Sequence, residues 1–397
     1  MKKQKILFLL FTAIICFISC KKIIPTAAPV EEILEGPIDG LTIEESNRFL
    51  HGDEAFGEFF TKETGLGPLF VENSCVSCHT GAGKGHPSSI VTRFGQIDEL
   101  GNTYLDYGGP QLQNRSILGF SPEVIPSGAS STKLLAPIVV GLGYLDFVTD
   151  AYILAMADPD DANGDGVTGI PNWNTIPSFV EVRKGAITSN GKYICRFGKK
   201  ASVYDIKQQI VSALNEDLGV NSVYDPIDLL SKQEVDPEIS TQKIVDMNFY
   251  LRTLKAPTPR NQDDPEVIKG KNLFNQIQCT SCHKPKLETG YSPISVLSNK
   301  EFYPYTDLLL HDMGSGLDDG YTEGSAKTYE WRTPPLWGLG LATSSQGGSY
   351  FLLHDGRAHS IEEAIYWHGG EAASRRQMYL ALPTDDKNAL LKFLQSL

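Results

Sequence analysis

Positive charge, cysteine and long apolar runs are all scarce in this chain. Lys and Arg number 35 against 48 Asp and Glu in 397 residues, a net charge of −13. There is no basic patch, which excludes a nucleic-acid-binding surface of the usual cationic kind. The acidic balance favours a basic docking partner instead. One apolar run, Ile6 to Ser19, is too short for a membrane span, and no other stretch is apolar enough to cross a bilayer. Seven cysteines do not make a disulfide scaffold. Cys16 and Cys20 fall in the leading segment, four more fall in two short motifs, and Cys195 is left without a partner, as a small buried hydrophobe is. The length allows about two domains, each able to bury a core.

The leading segment has the order of a secretory signal. Met1-Lys2-Lys3 is basic, Ile6 to Ser19 is apolar, and Ser19-Cys20 is a loose lipobox. Residues 1–20 are therefore expected to be a lipoprotein signal peptide, with Cys20 as the lipidated N-terminus. That places the protein in a bacterial cell envelope, facing the periplasm and touching the membrane through a lipid anchor only. Residues 21–40, rich in Pro, Ala and Glu, read as a tether.

The chemistry is concentrated in two pentads, Cys75-Val-Ser-Cys78-His79 and Cys279-Thr-Ser-Cys282-His283. Each has the C-x-x-C-H form of c-type haem attachment. Two thiols three residues apart can bond to the two vinyl groups on one porphyrin edge. The adjacent imidazole then meets the iron as proximal ligand. A zinc site built from the four cysteines would leave both histidines unexplained. Two covalently attached haems c are the expected cofactors.

The surroundings repeat. Gly52-x-x-x-Phe56 precedes the first pentad and Gly270-x-x-x-Phe274 the second, each on a helix-like stretch. Thr42 and Glu45 form a capping box at the start of the first. Tyr250 to Leu254 ends one helical run and Phe393 to Leu397 ends the chain. Helix, pentad and closing helix thus occur twice, in the order of a small cytochrome c domain. The expected fold is mainly α, with two cytochrome c-like domains, 41–256 and 257–397, divided at the proline-rich Ala256-Pro257-Thr258-Pro259. The first carries a long irregular insertion of loops, short helices and a few short strands.

Further candidates lie outside the pentads. Ser360 and Glu363 predict a helix start, and Gly369-Gly370 predict its end. Ile361, Ala364, Ile365 and His368 share one face of that helix. A buried imidazole needs a partner, and iron would provide one. His311-Asp312-Met313, His51 and His86 are lesser ligand candidates. Asp161, Asn163 and Asp165, followed by Gly166, have half the ligand spacing of a calcium loop, although the twelfth position is Asn172. Arg115, Arg196 and Arg332 are candidates to pair with haem propionates.

With these motifs in view, the chain resembles the bacterial di-haem oxidoreductases, or putative peroxidases of thiol-oxidoreductase-like type, relatives of the di-haem cytochrome c peroxidases and the di-haem enzyme of methylamine utilisation. The resemblance rests on Gly65 to Phe70 leading into Cys75 to His79, Gly109 to Arg115, Arg196 to Ala201, His311 to Gly314, Arg332 to Gly338, and His354-Asp355-Gly356-Arg357 through Gly370. In those relatives a methionine or tyrosine fourteen residues after the H-D-G histidine completes the second haem; here His368 holds that position. Its substitution implies a lower potential for the second haem than Met/His ligation gives. The resemblance implies a peroxidase-like enzyme, passing electrons between a small redox protein or cytochrome and peroxide or another small substrate. The alternative is a di-haem electron-transfer cytochrome without catalysis.

Overall fold

Two helix pairs frame the two pentads, and each crosses at a glycine. Helix α1 (Ile43–Phe56) starts at the capping box: Thr42 Oγ1 accepts from Glu45 N at 3.2 Å, and Glu45 Oε2 accepts from Thr42 N at 2.9 Å. It packs on α2 (Thr241–Thr253). At Gly52 any Cβ would collide with the Asp246 carbonyl and lie 2.5 Å from Tyr250 Cβ, so only glycine permits this approach. Helix α3 (Pro265–Gln276), capped by Asp264 with Pro265 in its first turn, packs in the same manner on α5 (Thr384–Ser396). There a Cβ on Gly270 would strike the Ala389 carbonyl and sit 2.7 Å from Phe393 Cβ.

The glycine-to-phenylalanine spacing then acquires a reason. One turn beyond each crossing glycine, an aromatic ring reaches the pentad histidine. The Phe56 and His79 ring centres are 6.1 Å apart, and those of Phe274 and His283 are 6.2 Å apart. Tyr250 backs Phe56 at 5.5 Å, and Phe393 backs Phe274 at the same distance.

The computed structural model describes residues 32–96 and 101–397. The expected signal peptide, Cys20 and residues 21–31 of the tether lie outside the described residues. From Leu34 to Leu397 the chain makes one compact unit. Its larger core joins α1 and α2 to Ile206–Leu218 and also takes in Leu287, Leu297, Phe302 and Trp337. A second core gathers α3, α5, Tyr305, Ile361 and Tyr379.

The expectation of a mainly α fold is corrected. Helix takes 34% of the described residues and strand 13%, a mixed α/β composition. Among the described residues the strands form small antiparallel sheets: Val91–Phe94 with Ser131–Leu134, Leu69–Phe70 with Arg115–Ser116, a three-stranded group around Lys192–Cys195, Leu287–Glu288 with Glu301–Phe302, and β1 (Leu310–Asp312) with β2 (Glu330–Arg332). Each strand has two to four residues. Glycines and prolines recur in the segments between pentads and closing helices, where apart from Ile206–Leu218 the helices are short. Backbone groups in these segments pair across hairpins instead.

Candidate functional site

The second pentad sits on one tight turn. Cys279–Ser281 form a 3₁₀ turn that Gln278 enters in the left-handed region, and His283 N bonds to Cys279 O at 3.0 Å. The first pentad forms a single α turn, Cys75–Cys78, capped by Ser74, with His79 N on Cys75 O at 2.9 Å. A three-residue offset on a helical turn puts both thiols on one side. Burial pushes Cys75, Cys78 and Cys279 up to about 12, so these remain neutral thiols at neutral pH. All four pentad cysteines are free, and among the described residues they do not converge on one point. The four-thiolate zinc alternative therefore has no site.

His283 and His368 face each other. Their ring centres are 6.5 Å apart at an interplanar angle of 42°. His283 Nδ1 bonds to Tyr305 O at 2.9 Å, and His368 Nδ1 to Ala364 O at 2.8 Å. Backbone carbonyls thus accept both Nδ1 protons, and neither Nε2 has a hydrogen-bond partner among the described residues. Burial holds His283 down to about 4 and lowers His368 as well, so both imidazoles are neutral, the state in which they coordinate metals. The helix that carries His368 is shorter than its periodicity predicts. α4 (Ile361–Tyr366) ends two residues before it. Ser360 caps α4 through Glu363 N at 3.0 Å, while Glu363 Oε2 reaches back to His359 N instead of closing the box. An open cleft of about 510 Å³ lies alongside, lined by Met313, Tyr366, Trp367, Gly369 and Arg376 among others.

At the first pentad, burial likewise brings His79 to about 4. Its ring pairs with Phe56, and no second histidine ring faces it among the described residues. His51 is exposed on α1, and His86 is held by Ser88 at 2.8 Å. The carboxyl with the strongest influence on Cys75 and Cys78 is Asp217. It accepts from Gln111 Nε2 at 2.5 Å, and its backbone carbonyl accepts from Val71 N at 2.7 Å. Burial and the adjoining Glu216 push Asp217 up to about 7, against the pull of Arg93.

The remaining candidates are engaged elsewhere. His311 has both ring nitrogens occupied, Nε2 by Asp307 and Nδ1 by Glu371, each at 2.9 Å, and Cys282 Sγ lies 3.6 Å from Nδ1. Burial opposes its charge, yet the two carboxylates raise it well above an ordinary histidine. His354 stacks on Trp331, ring centres 3.8 Å apart, and burial lowers it to about 3. Arg115 pairs with Glu72 at 2.6 Å. Arg196, wholly buried, is bound by Asp150 and the Val148 carbonyl. Arg332 alone of the three arginines keeps only backbone acceptors, Gly198 O and Thr333 O.

The 161–166 loop turns on itself. Asp161 accepts from Gly166 N at 3.1 Å and Asn163 from Asp165 N at 2.8 Å. Asp165 Oδ2 lies 3.5 Å from Arg375 and 3.4 Å from Ser281 Oγ, inside the second pentad. Lys84, Lys199, Asp217, Asp307 and Glu371 were not legible as site residues. Only Lys199 stood in a motif, Arg196 to Ala201, and nothing in the local sequence marks a lysine as enclosed.

The residues fit a haem by an observation independent of the motifs. His283 and His368 face each other with both Nδ1 atoms on backbone carbonyls, and neither Nε2 has a hydrogen-bond partner among the described residues. Among solved structures the chain is similar to a MauG-like protein associated with microbial copper homeostasis, at 14% identity and TM-score 0.42 over 94% of each chain. It is also similar to Kuenenia stuttgartiensis hydrazine synthase, at 14% identity and TM-score 0.36 over 94% of this chain and 98% of that one. Likenesses this distant carry no functional argument. No curated protein matches. A family profile described as "Di-haem oxidoreductase, putative peroxidase" matches residues 131–397, about two thirds of the chain. The chain belongs to that di-haem oxidoreductase family.

Proposed function

We propose that both pentads carry covalently attached haem c, with His79 and His283 as proximal ligands and His368 completing the second iron. The observation that carries this reading is the His283–His368 pair. Two imidazoles on opposite sides of one metal, each nitrogen about 2 Å from it, have ring centres roughly 6–6.5 Å apart, and the observed separation is 6.5 Å. A bound haem supplies one-electron iron chemistry whose potential and reactivity follow from its axial ligands and pocket. The carbonyls of Tyr305 and Ala364 fix both rings in the tautomer that presents Nε2, as acceptors behind metal-bound histidines do.

The two sites differ, and the difference supports a division of roles. The second, with two facing imidazoles, suits electron exchange with a small redox protein. The first, where no second imidazole faces His79 among the described residues, suits reduction of peroxide or another small substrate. Asp217, near Cys75 and Cys78 and raised to about 7, supports a proton-donating role there, from the oxygen not bonded to Gln111. The acidic net charge favours a basic partner. The N-terminal pattern supports a lipoprotein of the cell envelope, anchored through Cys20 and facing the periplasm.

Optical and electron paramagnetic resonance spectra of the resting protein, with and without peroxide, test the reading. One low-spin and one high-spin haem are expected, and peroxide should perturb the high-spin one. His368→Ala should add a second high-spin signal while mass spectrometry still finds two haems. His368→Met should stay low-spin at a higher potential. An unchanged spin state in His368→Ala refutes the ligand assignment. Two low-spin haems inert to peroxide favour an electron-transfer cytochrome instead.

A further inference from the structure

Three enclosed cations stand without a carboxylate. Lys84 and Lys199 make no side-chain hydrogen bond and no ion pair among the described residues. Arg332 bonds only to the carbonyls of Gly198 at 3.0 Å and Thr333 at 3.2 Å. This is not the habit of the fold. Arg196 is matched by Asp150, Arg93 by Glu216 and Glu323, and Lys200 lies 3.4 Å from Asp319. Carboxylates in the neighbourhood are committed: Asp355 to Arg357 at 2.7 Å and Asp307 to His311 at 2.9 Å.

Like His79, His283 and His368, all three are desolvated by burial yet only partly covered. Their positions connect the two pentads. Lys84 lies five residues beyond His79, on the loop where Gly85 N bonds to Ala136 O at 2.9 Å. Arg332 N bonds to Lys199 O at 3.1 Å, which ties the other two together. Lys199 bears electrostatically on Lys84, Arg332 and His79. Arg332 is influenced by Asp307, whose partner His311 touches Cys282.

We propose that Lys84, Lys199 and Arg332 form one cationic cradle, shared by the propionate carboxylates of the two haems. The inference rests on the di-haem reading above and adds to it a binding group and a coupling between the sites. An enclosed charge without a counter-ion is costly. Burial lowers Lys84 to about 8 and Lys199 well below an ordinary lysine, and an anion between them offsets that cost. Positive charge beside a haem favours the reduced iron, so the cradle raises both potentials together.

Spectroelectrochemical titration of the holo-protein, with haems counted by mass spectrometry, decides the matter. Lys199→Gln and Lys84→Gln should each lower both midpoint potentials, and Lys199→Arg should restore them. Lys243→Gln, on an exposed side chain paired with Glu58, should change neither. Two attached haems with unchanged potentials, or a shift confined to one haem, overturn the shared cradle and leave the di-haem reading standing. A chain without attached haem overturns that reading itself. Wild-type potentials that move with added inorganic phosphate would assign the cradle to a diffusible anion and overturn the proposal. Should Lys199→Gln fail to fold, unchanged potentials in Lys84→Gln overturn it equally.

Discussion

Replacing Asp217 by Asn should flatten the pH dependence of stability between about pH 4 and pH 7. Asp217 is raised from 3.8 to about 7, first by burial and then by the charge of Glu216, with Arg93 opposing. Its native pKa therefore lies above the unfolded value. The native state holds a proton across that window which the unfolded chain has already released. The stabilisation is complete below pH 4 and is lost as the pH rises through about 7. The gap between 3.8 and about 7, at about 1.4 kcal/mol per pH unit, amounts to about 4 kcal/mol. Asn keeps the shape, and its Oδ1 can still accept from Gln111 Nε2, but it carries no charge. Urea unfolding followed by far-ultraviolet circular dichroism at pH 4, 5.5, 7 and 8 measures the effect. Relative to wild type, Asp217→Asn should gain stability steadily up the series, by up to about 4 kcal/mol. Glu216, raised by burial as well, should leave a residual slope in both proteins. Parallel curves for the two proteins would show that Asp217 is ionised throughout, and would remove it as a proton-holding group.

Three other outcomes are expected. Gly270→Ala should destabilise the α3–α5 crossing by about 1–3 kcal/mol, seen as a lower Tm, because its methyl meets the Ala389 carbonyl; an unaffected Tm would mean the helices can separate without loss. Exhaustive chelation should leave Tm unchanged, since Arg375 already faces Asp165; a fall in Tm would establish calcium at Asp161, Asn163 and Asp165. Cys20→Ala should release the protein from membranes or block its processing, and a wild-type protein wholly soluble in the periplasm would contradict the anchor.

What the sequence determined by itself was local. Each pentad lies within five residues, so its two thiols and imidazole are legible in order. The cap at Thr42 spans three residues and forms as its spacing predicts. His368 was marked by its helical offset from Ile361, Ala364 and Ile365, although α4 closes two residues early because Gly369 and Gly370 follow. The pair Gly52 and Gly270 was visible as a repeat, but its purpose was not. Each glycine answers to a carbonyl nearly 120 residues or more away, on the helix that crosses it.

Only tertiary structure decided the rest. The sequence implies a few short strands in the first insertion but not where they lie or what they pair with, because strands of two to four residues carry no readable period and are defined by a partner such as Arg332 opposite Leu310. His311 looked like a free candidate until Asp307 and Glu371 closed on its two nitrogens. Arg196 and Arg332 were indistinguishable in sequence, yet packing gave one a carboxylate and left the other with carbonyls. Lys84, Lys199 and Arg332 come from distant parts of the chain, and a charge becomes functional here only when folding removes its water without supplying a counter-ion. That condition depends on what surrounds an ammonium in space, which its neighbours along the chain do not specify.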